Sequence, residues 1–449
     1  MNLYPRSHFS KRRGCYPHQL LQGFFLQCIF VIFLICSCSF AEAQRVENIY
    51  KPNIATAQLN MYGNQQSLPV YALNSGDRLM LSFDDLDGGV KSYYYSFVLC
   101  DYNWQPTNLN PFDYIKGFTQ NRISSYRYSS IAFTRYTHYE AILPDRNSLP
   151  TKSGNYLLKV FLDADTSKLV FTKQMMVVDL KSNITATVIQ PFTAQLFNTH
   201  QRLRFSASIN GLNSFSAAQQ VKAVILQNNR WDIAQRDIVP TFVRGNTLEY
   251  NTENVAVFPA GKEWRWLDLR SFRLQSDRID SGSYKKSSTE LFVKPDVDRS
   301  SQRYVYFPDY DGMYNIITYE SINPQWQGDY ASVYFTYIPP DGKAYSGEDL
   351  YLAGGFTGYS LSDKWKMKYN DEKAVYETSA FLKQGYYNYT YLLANDNKEL
   401  QPRSLEGSYW ETENSYTILL YYKSFTDRTD QLIGISQVNS RNDRPGFSF

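Results

Sequence analysis

The sequence predicts an all-β protein built of three consecutive antiparallel β-sandwich domains. Three observations point there. Tyr and Phe number 38 and 28 of the 449 residues, and these rings suit a pleated, half-buried surface. Short apolar runs alternate with polar residues at a period of two and are separated by Gly, Pro, Asn and Asp, the spacing of sandwich strands. No stretch sustains a helical apolar stripe beyond a turn or two.

The first 43 residues stand apart. Arg6, Lys11, Arg12 and Arg13 precede an apolar run from Phe24 to Ile35, and Ala41-Glu42-Ala43 follows. That order predicts an export signal, residues 1–43, cleaved after Ala43. The apolar run is short for a membrane span. A lipoprotein signal ending at Cys38 is the alternative, because the small Ser37 precedes that cysteine. Either signal takes the chain out of the cytoplasm.

Residues 44–180 form the first expected sandwich. "DRLMLSFDDL" at 77–86 sets Leu79, Leu81 and Phe83 on one face, "DGGV" reads as a turn, and "KSYYYSFVL" at 91–99 reads as the returning strand of a hairpin. In that strand Tyr93, Tyr95, Phe97 and Leu99 share one face, expected to be core, and Ser92, Tyr94, Ser96 and Val98 share the other. "NLNPFDYIKGF" suits a short helix opened by Pro111 and closed by Gly117. "THYEAIL", "GNYLLKVFLD" and "KLVFTKQMMVVD" complete the unit. The second sandwich is expected over 181–297, from "SNITATVIQP" to the strand ending near Lys294. The third is expected over 298–435, from "YVYFPDYDGMYNII" to "NSYTILLYYKSF", with residues 436–449 as a loosely held tail.

Removing residues 1–43 takes away four basic residues and one acid, so the formal charge falls from +3 to zero. The mature chain therefore offers no overall charge for nucleic acid or anionic lipid. Of five cysteines only Cys100 lies beyond the signal, which excludes an intramolecular disulfide in the mature chain. His138 and His200 are the only mature imidazoles. There is no Gly-rich phosphate loop, Gly-x-Ser-x-Gly elbow, His-Glu-x-x-His or Cys-x-x-Cys, so the reading is of a non-enzymatic protein with no catalytic, cofactor or metal residues.

Two clusters still carry possible chemistry. Asp84, Asp85 and Asp87 in "FDDLDGG" could offer oxygen ligands to calcium, though the later bidentate Glu of an EF-hand is missing; turn-forming Asp residues before Gly-Gly are the alternative. Cys100 and His138 could make a nucleophilic pair if the fold joined them. A buried thiol and a hydrogen-bonded strand histidine is the simpler reading.

"GEDLYLAGGFTGYSLSDKWKMKYN" and "AVYETSAFLKQGYYNYTYLL" resemble the early-set immunoglobulin-like modules that precede the catalytic domains of glycogen-branching enzymes. That resemblance implies a sandwich whose Trp365 or Tyr359 could stack on a sugar, and makes a periplasmic or surface glycan-binding protein the alternative function. A broader resemblance starts at "YYYSFVLCDYNWQPTNLNPFDYIKGF" and continues through "YTHYE", "SGNYLLKVFLD", "VFPAGKEWRWLDLRS" and "LLYYKSFTDRTDQLIG". These segments resemble the N-terminal plug domain family of the type IX secretion system of Bacteroidetes. Two departures stand in it: "GKEWRW" where Gly-Asn-Glu-Phe-Arg is typical, and "FTDRTDQLIG" where a Gly-rich Arg-Tyr-Asp-Arg segment is expected.

The resemblance implies a periplasmic, non-enzymatic protein on the periplasmic side of the outer membrane. Its partner would be the large β-barrel translocon of that system, whose periplasmic mouth it closes when no substrate passes. No small-molecule substrate, nucleic acid or membrane span is expected. Outward aromatics, Tyr94, Tyr102 and Trp104, are the expected partner-binding residues.

Overall fold

A computed structural model describes residues 46–209, 212 and 216–442, so the expected export signal and the last seven residues lie outside the described residues. Among the described residues strands dominate, most pairs are antiparallel, and the few helices are single turns. No helix among the described residues is long and apolar enough to cross a membrane.

In the first sandwich one sheet contains Tyr93–Cys100, Gly154–Leu162 and Leu169–Val178, and the other contains Ile54–Met61, Leu79–Asp85 and Thr137–Leu143. The alternation read from the sequence holds: Tyr93, Tyr95, Phe97 and Leu99 are buried, as are Leu79, Leu81 and Phe83, and all enter one core. The expected hairpin does not form. Leu79–Asp85 pairs with Ile54–Met61 and Thr137–Leu143, whereas Tyr93–Cys100 pairs with Gly154–Leu162 and Gln120–Arg122 in the opposite sheet. The residues between them form a corner from one sheet to the other, with Gly88 and Gly89 both at positive φ. The expected helix shrinks to one 3-10 turn, Pro111–Asp113, capped by Asn110. Gly117 lies beyond it in a strand, at φ +101°, where a Cβ would stand 2.1 Å from the Asn147 carbonyl oxygen.

The second sandwich is discontinuous, which corrects the expected boundaries. Its one sheet holds Asn183–Ile189, His200–Ser208 and Thr247–Tyr250. Its other is completed by the end of the chain: Ser415–Tyr422 and Gln431–Asn439 add to Val221–Gln227. The expected tail from 436 is thus strand through Asn439, with Val438 buried. The third sandwich begins before residue 298. Arg265–Asp268 pairs with Tyr386–Ala394, and Ile279–Lys285 and Ser288–Val293 belong to the sheet of Tyr330–Ile338 and Val375–Lys383. Of "YVYFPDYDGMYNII" only Tyr314–Asn315 is strand. The chain therefore runs from the first sandwich to the second, out to the third, and back to finish the second.

Candidate functional site: the sandwich junctions and the exposed aromatic surface

The FDDL segment supplies a centre that turn chemistry does not explain. Asp84 and Asp85 end a strand and are both fully buried. Asp85 accepts from Asn53 Nδ2 at 2.6 Å and Tyr93 Oη at 2.9 Å and pairs with Lys91 at 2.8 Å, which ties the corner to both sheets. Asp84 points out of the first sandwich into the third. Its Oδ2 meets Lys383 Nζ at 2.5 Å and accepts from Tyr330 Oη at 2.6 Å, and its Oδ1 lies 2.6 Å from His138 Nδ1. Burial pushes the Asp84 carboxyl up, but the charge of Lys383 and the bond with His138 outweigh it and hold the group below its ordinary value. Lys383 is itself fully buried, its ammonium 4.3 Å from the centroid of the Tyr136 ring.

Around this pair the first and third sandwiches meet through further polar contacts. Asp329 accepts from the Phe133 and Thr134 amides at 2.9 and 3.0 Å, and Tyr136 Oη donates to the Gly328 carbonyl at 2.7 Å. The Gln65 side chain imitates a strand neighbour, accepting from Ile316 N at 2.8 Å and donating to Ile316 O at 3.1 Å.

The first and second sandwiches meet differently, through a continuous apolar cluster. Leu68, Met176 and Val178 face Val224, Leu226, Leu419, Tyr421 and Leu432, with Tyr102 and Trp104 between them. This corrects two expected partner-binding residues. Trp104 is 3 % exposed and stands edge-on to Trp231 at 5.0 Å; Tyr102 is 9 % exposed, donates to Asp237 at 2.7 Å and lies under the Lys222 ammonium. Both rings are buried where the second sandwich meets the first. Tyr94 remains half-buried on the outer face, beside Phe161.

Two further charged clusters surround the connection of the second and third sandwiches. Arg265 links Asp296 at 2.7 Å and Glu406 at 2.9 Å; Arg278 also bonds Asp296, and Arg299 bonds Glu406. Nearby, Asp309 accepts from Trp264 N at 2.6 Å. Burial, with the charges of Asp311 and Glu263 added, pushes Asp309 up to about 7; burial and the charges of Glu413 and Glu263 do the same to Asp311, also to about 7.

The other sequence candidates separate. Cys100 is buried in the sheet opposite His138, its thiol donates toward the Val98 carbonyl, and burial pushes it up to about 12, so the nucleophilic pair is not assembled. His138 Nε2 is buried and makes no hydrogen bond among the described residues. No group of three or more His, Cys, Asp or Glu among the described residues could hold a metal ion. Trp365 and Tyr359, the candidate sugar platforms, are each 8 % exposed: Trp365 is in the third core and Tyr359 lies between Trp264 and Arg230.

What the molecule does expose is apolar surface on the first sandwich. Phe112 lies within the 3-10 turn Pro111–Asp113 and Phe118 just after the strand Ile115–Gly117, and Tyr126, Tyr128, Ile131 and Phe133 lie on the edge strand Ser125–Tyr128 and the loop after it. None of these six is among the expected partner-binding residues; in the sequence Phe112 falls in the expected short helix and Phe118 in a segment that carries the family resemblance.

The chain matches known proteins in two ways. A crystal structure at 2.30 Å resolution of a hypothetical protein from Parabacteroides merdae ATCC 43184 is 29 % identical, with a TM-score of 0.83, over 88 % of this chain and 98 % of that one. The three-sandwich architecture is thus shared nearly throughout. No curated protein matches. The family model described as "Type 9 secretion system plug protein 1st domain" matches residues 54–179, which cover the first sandwich from the strand Ile54–Met61 to the residue after the strand Leu169–Val178. The first sandwich of this chain therefore belongs to the type 9 secretion system plug protein first-domain family.

Proposed function

We propose that this protein is a plug subunit of the type 9 secretion system that binds the outer-membrane β-barrel translocon from the periplasm and sterically closes its opening when no substrate is in transit. The family match of the first sandwich carries this reading. The architecture supports it, because a stopper must keep its shape under load, and the apolar weld between the first two sandwiches gives a body far stiffer than beads on a linker. Closure also has to be reversible, so the plug must bind the idle channel more tightly than the conducting one. The exposed rings Phe112, Phe118, Tyr126, Tyr128 and Phe133 suit a protein contact of this kind, with Tyr94 at its margin and without Tyr102 and Trp104.

The reading predicts that cells lacking this protein admit hydrophilic antibiotics and dyes too large for ordinary porins, and that the intact gene restores the barrier. An unchanged barrier in cells that retain an active translocon would overturn it. The glycan-binding alternative loses its basis in this fold, since both candidate rings are buried.

A further inference from the structure

The three sandwiches are not joined alike. The third is covalently continuous only with the second, through residues 260–264 on the way out and 407–414 on the way back. These two connectors lie side by side, with Tyr409 N donating to the Gly261 carbonyl and Thr412 Oγ1 donating to the same oxygen. No chain segment joins the third sandwich to the first. Their junction includes the Asp84–Lys383 pair, the Asp329 and Gln65 contacts, the Ser130 amide on the Trp326 carbonyl, the Thr56 and Tyr330 hydroxyls 2.7 Å apart, Arg127 over the Trp326 ring, and the buried rings of Tyr136 and Tyr330, 5.5 Å apart. Each of the two sandwiches closes its own core, and among the described residues no apolar cluster spans between them, in contrast to the cluster that spans the first and second.

The two kinds of junction respond to water differently. Separating the first and second sandwiches would expose Trp104, Met176, Leu226 and Leu419, at full hydrophobic cost. Separating the first and third exposes the Tyr136 and Tyr330 rings, but it also returns a carboxylate and an ammonium to water, and their recovered hydration offsets much of the attraction lost. A buried ion pair of this kind contributes little to net stability while accepting only one geometry.

We propose that the third sandwich is a hinged arm that swings on residues 260–264 and 407–414 and is latched against the first sandwich by Asp84 and Lys383. The latched form is the one described here. In the open form the arm separates from a rigid unit of the first and second sandwiches, and the latch specifies a single reclosing position. The inference stands on the connectivity and on the chemistry of the junctions, and holds whether or not the protein plugs a channel.

Four amides report the opening directly, because their acceptors lie across the junction: Ser130 on the Trp326 carbonyl, Phe133 and Thr134 on Asp329, and Ile316 on Gln65. Residue-resolved hydrogen exchange on the full chain, in urea below the global transition, should show these four exchanging as one group. Their rate should be at least about a hundredfold above that of the core amides of Leu158 and Ile225, with a small urea dependence. Asp84→Asn should speed the group by at least about tenfold and leave Leu158 and Ile225 unchanged. If that variant does not fold, the urea series on the unmodified protein decides alone. Exchange of the four only in step with the core amides, or at four unrelated rates, would overturn the hinge.

Discussion

Trp104→Ala separates a buried weld from a partner-facing ring. Trp104 is 3 % exposed, sits among Met176, Leu226 and Leu419, and meets Trp231 edge-on at 5.0 Å. Truncating a buried Trp to Ala costs about 3–5 kcal/mol, and the lost ring pair belongs to the upper part of that range. Its indole N–H has no hydrogen-bond partner among the described residues, so the substitution also removes a desolvated donor, which returns about 1 kcal/mol. A net loss of about 3–4 kcal/mol follows. Urea unfolding of the full chain, followed by far-ultraviolet circular dichroism so that the lost fluorophore does not matter, should show the midpoint fall. If the weld fails before the sandwiches do, one transition becomes two. A change below about 1 kcal/mol, the range of ordinary surface substitutions, would refute the account of this junction. That result together with weakened binding to the translocon would put Trp104 on the partner surface after all.

Other outcomes follow from the same structure. Cys100, buried and with its thiol pushed up to about 12, should resist a thiol reagent in the native protein and react fully in denaturant; rapid native labelling would contradict its placement. Gly117→Ala forces a side chain at φ +101° into the Asn147 carbonyl and should cost at least about 1–3 kcal/mol, read from the thermal midpoint. Asp309 and Asp311 hold protons up to about 7 in the folded state and only to about 4 when unfolded, so their contribution to stability falls as pH rises through that window. Asp309→Asn with Asp311→Asn should flatten the fall in urea midpoint across that range. Asp84 works in the opposite sense. Its folded value is depressed, so the stability it contributes is present at neutral pH and is lost as pH falls through that value.

Strand content was legible because a period of two is local. The buried face of Tyr93, Tyr95, Phe97 and Leu99 could be read directly from their spacing. Pairing was not legible, for the same reason: alternation says which side of a strand is core and nothing about its neighbour. Asp87-Gly88-Gly89 suits a tight turn, yet the chain uses it to change sheets. The closing strands Ser415–Tyr422 and Gln431–Asn439 carry the same apolar signature as any strand of the third sandwich, so their return to the second left no local mark. The junction residues were hidden more deeply. Nothing near Lys383 announces a partner 299 positions away, and an acidic pair before two glycines has a sufficient local explanation. Tyr102 and Trp104 were misplaced because an aromatic at the end of a strand looks the same whether a second sandwich or a separate protein covers it.

The plug reading meets its most direct test in what the native protein is bound to. A tag near the C-terminus, isolation from outer-membrane extracts in mild detergent, and mass spectrometry of the co-isolated material should find a large outer-membrane β-barrel in stoichiometric amount. Recovery of the protein alone, or with glycan in place of a barrel, would contradict the account.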